Sequence, residues 1–473
     1  MRETPFKQLQ GKFFHGLGWN GFFYFFYKIL STSLSFVLYT LLTTQNFSFW
    51  ASINALTFLV LLWLDFGFRK SLPRYCPEFA HSPQALHRFI KTIIIFQGCV
   101  LLAAIPFFMI IQHNLYPSLS SFLYYSGTAL LITEGIIALL RLIFHSHFFI
   151  KQFTLITSAV LLVEMATHFI MIILLGVRGT HLVEIIFATK IIMGCITILV
   201  GLAMLGYLYR RHSHPNVKLQ EIHYYPLMRD FIQHSAMMWA TNILKSLTER
   251  NFMVLILTII FGPSAANMFK VANDGALLFH RMVVKTIGIT DTTLLAHVGQ
   301  LSEAKKLMPI AFTKIMTSIV ALCLPLFGIV SLIAVFCYRA TLDSFVFQLF
   351  FILVLSYLIE SILSPYERIL EVKRRYSKLL FAYSPYLIML VFAFYLNLLT
   401  LIGLLKSVLL IQGVRLVSSF FMIPFARRED SLSFPLRFTV KVFIICLPIW
   451  VTLFMIYPYI PGSWYTCLFR MIK

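Results

Sequence analysis

Residues 92–111, TIIIFQGCVLLAAIPFFMII, form a run of 20 residues without a single charged side chain. A transmembrane α-helix needs about 20 mainly apolar residues to cross the hydrocarbon core of a bilayer. Irregular backbone cannot face lipid, because its polar groups would lack hydrogen-bond partners there, so the run predicts a helix. This stretch therefore indicates a protein that spans a membrane.

Twelve further runs of this kind occur along the chain, whose 473 residues are 59% hydrophobic and only 12% charged. Soluble domains are typically about 25% charged, so a soluble fold is excluded. The pattern predicts an all-α polytopic membrane protein with 12 to 13 transmembrane helices. The predicted spans are 19–42, 48–66, 92–111, 121–140, 153–175, 182–208, 235–260, 266–294, 309–335, 344–365, 379–398, 401–424 and 438–457.

The positive charge of the chain, +21 net, is distributed unevenly between the two sides of the predicted spans. Of the 39 Lys and Arg residues, 26 fall in connections on one side of the predicted spans, four on the other and nine inside spans. Cytosolic connections carry an excess of Lys and Arg, so the N-terminus is predicted to be cytosolic, and 13 spans would put the C-terminus outside. Membrane lipids with anionic headgroups are expected partners. Nucleic acid is not an expected partner.

The two halves of the chain resemble each other weakly. Trp50 and Phe269, and likewise Asn54 and Asn273, are each separated by 219 positions. The longest polar connection divides the sixth predicted span from the seventh. We therefore expect an N-lobe of six transmembrane helices at 1–208, a cytosolic linker at 209–234, a C-lobe of six helices at 235–425, and a C-terminal extension at 426–473 with an extra helix.

Nine bases lie inside the predicted spans, where a charge costs roughly 2.5 to 3.5 kcal/mol on insertion scales. Their spacing places Lys245 with Glu249, and Lys270 with Asp274, one helical turn apart. These pairs either neutralise each other or line a cationic cavity; both readings remain open. The bases are Lys28, Lys190, Lys245, Arg250, Lys270, Arg281, Lys285, Lys406 and Arg415, and the acids are Asp65, Glu134, Glu164, Glu184, Glu249, Asp274, Asp291 and Glu360.

Lys and Arg in a cavity of low dielectric bind phosphate through charge-assisted hydrogen bonds, so an anionic headgroup is the expected cargo. A carboxylate with a shifted pKa can instead carry a proton or coordinate sodium, and Asp65, Glu249 and Asp274 are the candidates for such ion coupling. The seven cysteines form no Cys-x-x-Cys motif, so no metal site is predicted. No cofactor is expected either.

Two stretches carry a resemblance to a known family. Phe47–Ala51 (FSFWA), Leu64–Arg69 (LDFGFR) and Leu72–Tyr75 (LPRY) resemble the early signature of polysaccharide repeat-unit flippases of the O-antigen type. These belong to the multidrug/oligosaccharidyl-lipid/polysaccharide exporter superfamily. Phe261–Ala272 (FGPSAANMFKVA) is similar to that family's turn between spans seven and eight. Phe49, where the family commonly has glycine, and the thirteenth span depart from the family pattern.

The resemblance implies two six-helix lobes around a central cavity, alternating access, and no enzymatic step. Its implied cargo is a polyprenyl-diphosphate-linked oligosaccharide for lipopolysaccharide or other surface polysaccharide, moved across the bacterial inner membrane. By position in the spans, Lys28, Arg250, Lys270 and Arg281 would bind this substrate. Polysaccharide polymerases and glycosyltransferases are implied partners. A lipid II flippase, a cation-coupled multidrug exporter, and a membrane glycosyltransferase, polymerase or ligase are the alternatives.

Overall fold

The computed structural model describes the helical body of the chain. The described residues are 29–68, 71–72, 75, 79, 83–117, 120–146, 150–212, 224–247, 249–280, 304–341, 344–395, 398–429 and 432–456. Within these ranges the secondary structure is entirely helical, with fifteen α-helices and no β-strand. The predicted all-α fold is therefore confirmed.

One compact unit, Leu41–Thr258, is called the N-unit here. It contains six complete helices and most of a seventh, α8. These helices are α2 (Thr44–Trp63), α3 (Pro83–Leu115), α4 (Ser121–Ser146), α5 (Ile150–Ile173), α6 (Gly179–His212), α7 (Tyr224–Ser246) and α8 (Arg250–Phe261).

The second unit, called the C-unit, comprises the described parts of Met1–Thr40 and Ile259–Lys473. Its first helix is α1 (Ile29–Leu41), and its other helices lie after α8 in the chain. These are α9 (Pro263–His280), α10 (Ala304–Thr341), α11 (Ser344–Val372), α12 (Tyr376–Tyr395), α13 (Leu398–Ile402), α14 (Leu404–Glu429) and α15 (Leu436–Ile456).

The two units differ from the expected lobes in two segments. Residues 29–40 are grouped with later helices, and residues 235–258 with earlier ones. The lobe bounds 1–208 and 235–425 stay a prediction, as does the C-terminal extension at 426–473. Of the predicted linker 209–234, residues 213–223 lie outside the described residues, and its two ends are helical.

Nine helices in the described part of the chain are long and apolar enough to cross a membrane, namely α2 to α6, α10 to α12 and α14. Many of their apolar side chains remain outside the packed core, such as Leu102 at 68% and Phe107 at 69% exposed. Surfaces of this kind suit lipid contact. The predicted first and eighth spans each lie partly outside the described residues, and α15 corresponds to the thirteenth.

The predicted seventh span is not one continuous helix. α7 ends at Ser246 and α8 begins at Arg250. The Glu249 N–H donates to the Ser246 carbonyl at 3.0 Å, and the Glu249 carbonyl accepts from Met253 N–H at 3.2 Å. Glu249 thus lies in the break and opens α8. A second break separates α8 from α9, where Gly262 has a φ of +83° and Pro263 starts the next helix.

The helix order follows the internal repeat seen in the sequence. α2 begins at Thr44 and α9 begins at Pro263, so their starts are again separated by 219 positions. Thr43 caps α2, because its side-chain oxygen accepts a hydrogen bond from Asn46 N–H at 3.3 Å. The repeat therefore places Asn54 and Asn273 at the same position of two corresponding helices.

A glycine turn fastens α2 to α7 inside the N-unit. Gly67 has a φ of +76°, and a Cβ atom there would lie 2.3 Å from the Ser235 carbonyl oxygen and 2.9 Å from Trp239 N. Glycine alone permits both the backbone conformation and this approach. The Phe66 ring stacks on Trp239 with 5.1 Å between the ring centres, so the LDFG segment packs the end of α2 against α7.

The last helix packs against α10 in the C-unit. Trp450 of α15 covers Gly328 so closely that a Cβ atom on this glycine would lie 2.2 Å from the indole ring. Val320, Leu324 and Cys446 form a small buried cluster beside the same contact. The chain segment predicted as a thirteenth span is therefore attached to the C-unit through tight packing.

Candidate functional site

Lys270 and Asp274 form an ion pair on one face of α9. Lys270 Nζ lies 2.5 Å from Asp274 Oδ2, and the two residues are 6% and 7% exposed. From α1, Ser35 Oγ donates to Asp274 Oδ2 at 2.7 Å, and Thr32 Oγ1 donates to the Asp274 carbonyl at 3.5 Å. The spacing-based expectation that these two residues pair is confirmed.

The same helix face carries a second buried polar residue. Asn273 is fully buried, and its Oδ1 accepts a hydrogen bond from Tyr357 OH at 2.6 Å. Its Nδ2 has no hydrogen-bond partner among the described residues. One turn beyond Tyr357 in α11, Ser361 Oγ lies 3.1 Å from His280 Nδ1. Polar side chains thus line the contact between α9 and α11.

A second buried ion pair joins α11 to α14. Arg415 Nη2 lies 2.7 Å from Glu360 Oε1 and 2.5 Å from Glu360 Oε2. The Arg415 guanidinium also lies 5.3 Å from the centre of the Tyr357 ring, which is within the range of a cation–π contact. We call Lys270, Asn273, Asp274, Tyr357, Glu360 and Arg415 the C-unit polar centre.

The N-unit has a polar centre of its own. Lys190 of α6 donates from Nζ to Asn54 Oδ1 at 2.8 Å, and Nζ lies 3.9 Å from Glu134 Oε1. The same ammonium lies 5.4 Å from the centre of the Phe58 ring. Glu164 of α5 is only 6% exposed and interacts electrostatically with Lys190 and Glu134. We call Asn54, Glu134, Glu164 and Lys190 the N-unit polar centre.

The charge balance of these centres differs. In the C-unit polar centre two bases face two acids, and each base has its own carboxylate. In the N-unit polar centre one base is near two acids, and Glu164 lies farther from Lys190 than an ion-pair contact within the described residues.

The other predicted site residues lie elsewhere or are not described. Arg250 is half-buried at the start of α8, where its Nε donates to Asn251 Oδ1 at 3.3 Å. Asp65 lies in the turn after α2, and its carbonyl accepts from Gln97 Nε2 at 3.2 Å. Lys28 and Arg281 fall outside the described residues. The roles given to these residues stay predictions.

One expectation about pairing does not hold as stated. The sequence spacing of Lys245 and Glu249 predicts that they lie one turn apart on a continuous helix, but α7 ends between them at Ser246. Helical spacing therefore no longer places these two side chains on one face. Arg281, Lys285 and Asp291, which also belong to the predicted eighth span, lie outside the described residues.

Sequence reasoning identified five charged residues of the two polar centres as lying within spans but did not place them in a site. These are Glu134, Glu164, Lys190, Glu360 and Arg415. Their partners lie on other helices, 55 positions away for Arg415 and Glu360. The only sequence signal for these residues is the energetic cost of placing a charged side chain inside a membrane. Among the described residues, no group of three or more His, Cys, Asp or Glu side chains could hold a metal ion.

Comparison with known proteins gives the fold but no close relative. No protein-family model and no curated protein sequence matches the chain. Among solved structures, the lipid II flippase MurJ in an inward closed conformation has a TM-score of 0.56 at 13% identity, covering 95% of both chains. The chain thus has a fold shared with transporters.

Two further solved structures agree. An inward-facing multidrug resistance MATE family transporter of the MOP superfamily has a TM-score of 0.57 at 12% identity, over 85% of this chain and 94% of that one. A MOP superfamily transporter from Pyrococcus furiosus has a TM-score of 0.58 at 12% identity, over 91% and 99%. The chain shares its fold with these solved transporters, and the superfamily and the repeat-unit subtype stay predictions.

Proposed function

We propose that this multi-pass membrane protein is a flippase that moves a polyprenyl-diphosphate-linked oligosaccharide from the cytosolic to the outer face of a bacterial inner membrane. The diphosphate is the part of this cargo that the protein must hold inside the bilayer, while the polyprenyl tail stays in lipid. No covalent bond changes in this process. Alternation between inward and outward states moves the headgroup.

The buried ammonium of Lys270 is the observation that carries the proposal. Intramembrane charges are expensive, and those retained commonly mark a substrate or ion pathway. Lys270 is held by one carboxylate oxygen of Asp274, and a phosphate oxygen has the same charge and hydrogen-bonding capacity. A diphosphate can therefore take over the ammonium from Asp274. The similarity in fold to a lipid II flippase supports a lipid-linked cargo.

Coupling to an ion gradient forms a second part of the proposal. Asp274, Asp65 and Glu249 were the expected coupling groups, and only Asp274 of the three is buried. Glu164 joins them as a candidate, because its side chain is buried within the span α5. Binding of a proton or sodium ion at Asp274 would change the pairing of the Lys270 ammonium.

The nearest alternatives differ in cargo. A lipid II flippase would hold the same diphosphate with a different sugar, whereas a multidrug exporter would take cationic compounds. The superfamily fold contains transporters of both kinds, as the solved structures named above illustrate. A glycosyltransferase, polymerase or ligase has no support from the fold comparisons. The choice among cargoes therefore needs a direct transport measurement.

Reconstituted full-length protein tests the proposal. Fluorescent polyprenyl-diphosphate oligosaccharide is loaded into one leaflet of proteoliposomes, and transfer is followed by chemical quenching. We expect transfer by the wild type, strong loss in Lys270→Met, and near-normal transfer in the matched control Lys306→Met, whose side chain is exposed. Transfer of lipid II alone, or of a cationic dye alone, would replace this proposal with the corresponding alternative.

A further inference from the structure

Three membrane helices of the C-unit end close together. α11 ends at Val372, a three-residue turn follows, and α12 begins at Tyr376. In this turn Arg374 has a φ of +58°, and Arg375 N–H donates to the Leu370 carbonyl at 2.9 Å. Positive φ is uncommon for a residue with a side chain, so the tight turn fixes Arg374 and Arg375 at the helix ends.

The end of α14 meets this turn through one carboxylate. Glu429 Oε2 lies 2.9 Å from Arg375 Nε, and Glu429 Oε1 accepts from Lys378 Nζ. Arg427 and Arg428 precede Glu429 in the last turn of α14, and both are exposed. We call Arg374, Arg375, Lys378, Arg427 and Arg428 the basic end cluster. Among the described residues, Glu429 contacts two of these bases, and the exposed Arg427 and Arg428 add positive charge at the same helix end.

An apolar surface adjoins this cluster toward the middle of the helices. Phe381 follows Lys378 by three positions on α12, and Phe425 precedes Arg428 by three positions on α14, so each lies about one turn from a base. The two rings are in contact, with 5.9 Å between their centres. Phe381 is 62% exposed, and Phe421, one turn before Phe425, is 43% exposed.

We propose that this end of the C-unit is a binding site for an anionic phospholipid of the surrounding leaflet. Arg375 and Arg428 would contact the headgroup phosphate, because guanidinium groups match phosphate oxygens well. Phe381 and Phe425 would contact the upper part of an acyl chain. Glu429 orients Arg375 and Lys378 without neutralising the cluster. None of these residues is among the proposed cargo residues.

A lipid fits this arrangement better than free phosphate does. Free phosphate would need the bases alone, whereas the exposed aromatic surface lies one turn away along both helices, on spans long enough to cross the bilayer. Charged groups at headgroup level above apolar side chains match the polarity profile of a phospholipid. The predicted topology also places these connections on the cytosolic side.

Native mass spectrometry of the full-length protein tests the site. Phosphatidylglycerol and phosphatidylcholine with the same acyl chains are titrated onto the detergent-solubilised protein. We expect Arg375→Gln/Arg428→Gln to lower the affinity for phosphatidylglycerol by about 30-fold, since each base near a membrane surface contributes roughly fivefold. Lys305→Gln/Lys306→Gln removes the same charge from two exposed lysines at the start of α10 and should change it little.

Two more measurements complete the test. Phe381→Ala should lower phosphatidylglycerol affinity by about fivefold and leave glycerol phosphate binding unchanged. If Arg375→Gln proves unstable in thermal unfolding, Arg427→Gln/Arg428→Gln replaces two exposed side chains and serves instead. If Arg375→Gln/Arg428→Gln and Lys305→Gln/Lys306→Gln lower the affinity for phosphatidylglycerol equally, the proposal is overturned, because general charge attraction then explains the binding. An unchanged lipid affinity in Phe381→Ala would overturn the acyl-chain contact.

Discussion

Lys270 and Asp274 lie one turn apart on α9 and form a buried ion pair in which Nζ and Oδ2 are 2.5 Å apart. Breaking one partner of such a pair leaves an uncompensated buried charge, whereas replacing both partners removes the problem. Single and double substitutions can therefore measure separately what the pair contributes to stability and what it contributes to transport.

Replacing Lys270 alone tests the structural contribution. Lys270→Met should lower the free energy of unfolding by about 3 to 5 kcal/mol, because Asp274 then remains buried without its ammonium. Lys270→Met/Asp274→Asn should recover most of that loss, as measured by denaturant unfolding in detergent micelles. Transport should stay low in both variants. A double variant with wild-type transport would show that the pair is structural only.

Spacing predicted this pair but could not predict the others. Lys270 and Asp274 share one uninterrupted helix, so their separation in sequence fixes their separation in space. Arg415 and Glu360 lie 55 positions apart on different helices, and their pairing depends on how α11 packs against α14. The helical state of the apolar runs followed from hydropathy alone, because lipid permits few alternatives.

The break between α7 and α8 is a feature of the fold that the sequence did not predict. The sequence around Glu249 has no proline or glycine to mark a helix end, so 235–260 reads as one span. In the structure α7 ends at Ser246 and α8 begins at Arg250, while the apolar pattern continues on both sides. Trp63 donates from Nε1 to Ser246 Oγ at 2.8 Å at this place, a tertiary contact that no local pattern reveals.

Arg415→Lys tests the guanidinium geometry of the C-unit polar centre. A lysine keeps the charge, but its compact ammonium cannot contact the Glu360 carboxylate and cover the Tyr357 ring at once. We expect a loss of about 1 to 2 kcal/mol in unfolding free energy. Arg427→Lys on the same helix changes an exposed side chain and is the matched control. Equal stability of the two variants would contradict a specific role for the guanidinium group of Arg415.

Gly67→Ala tests the joint between α2 and α7. The added methyl would meet the Ser235 carbonyl at 2.3 Å, in a backbone conformation that alanine rarely adopts. We expect poor folding or a loss of at least about 2 kcal/mol, seen as a lower yield of monodisperse protein. Gly98→Ala, with no atom within 4 Å of its new Cβ, should instead be neutral or stabilising by about 1 kcal/mol.

The attachment of α15 to α10 gives the last prediction. Gly328→Ala places a methyl 2.2 Å from the Trp450 indole, so the ring must move or the helices must separate. We expect a lower melting temperature and faster proteolysis of the C-terminal segment, while Gly413→Ala, which meets nothing within 4 Å, serves as the control. Because a smaller side chain removes the clash, Gly328→Ala/Trp450→Leu should be more stable than Gly328→Ala alone, and the two changes should be non-additive. Additive losses would mean that α15 is not held at this contact.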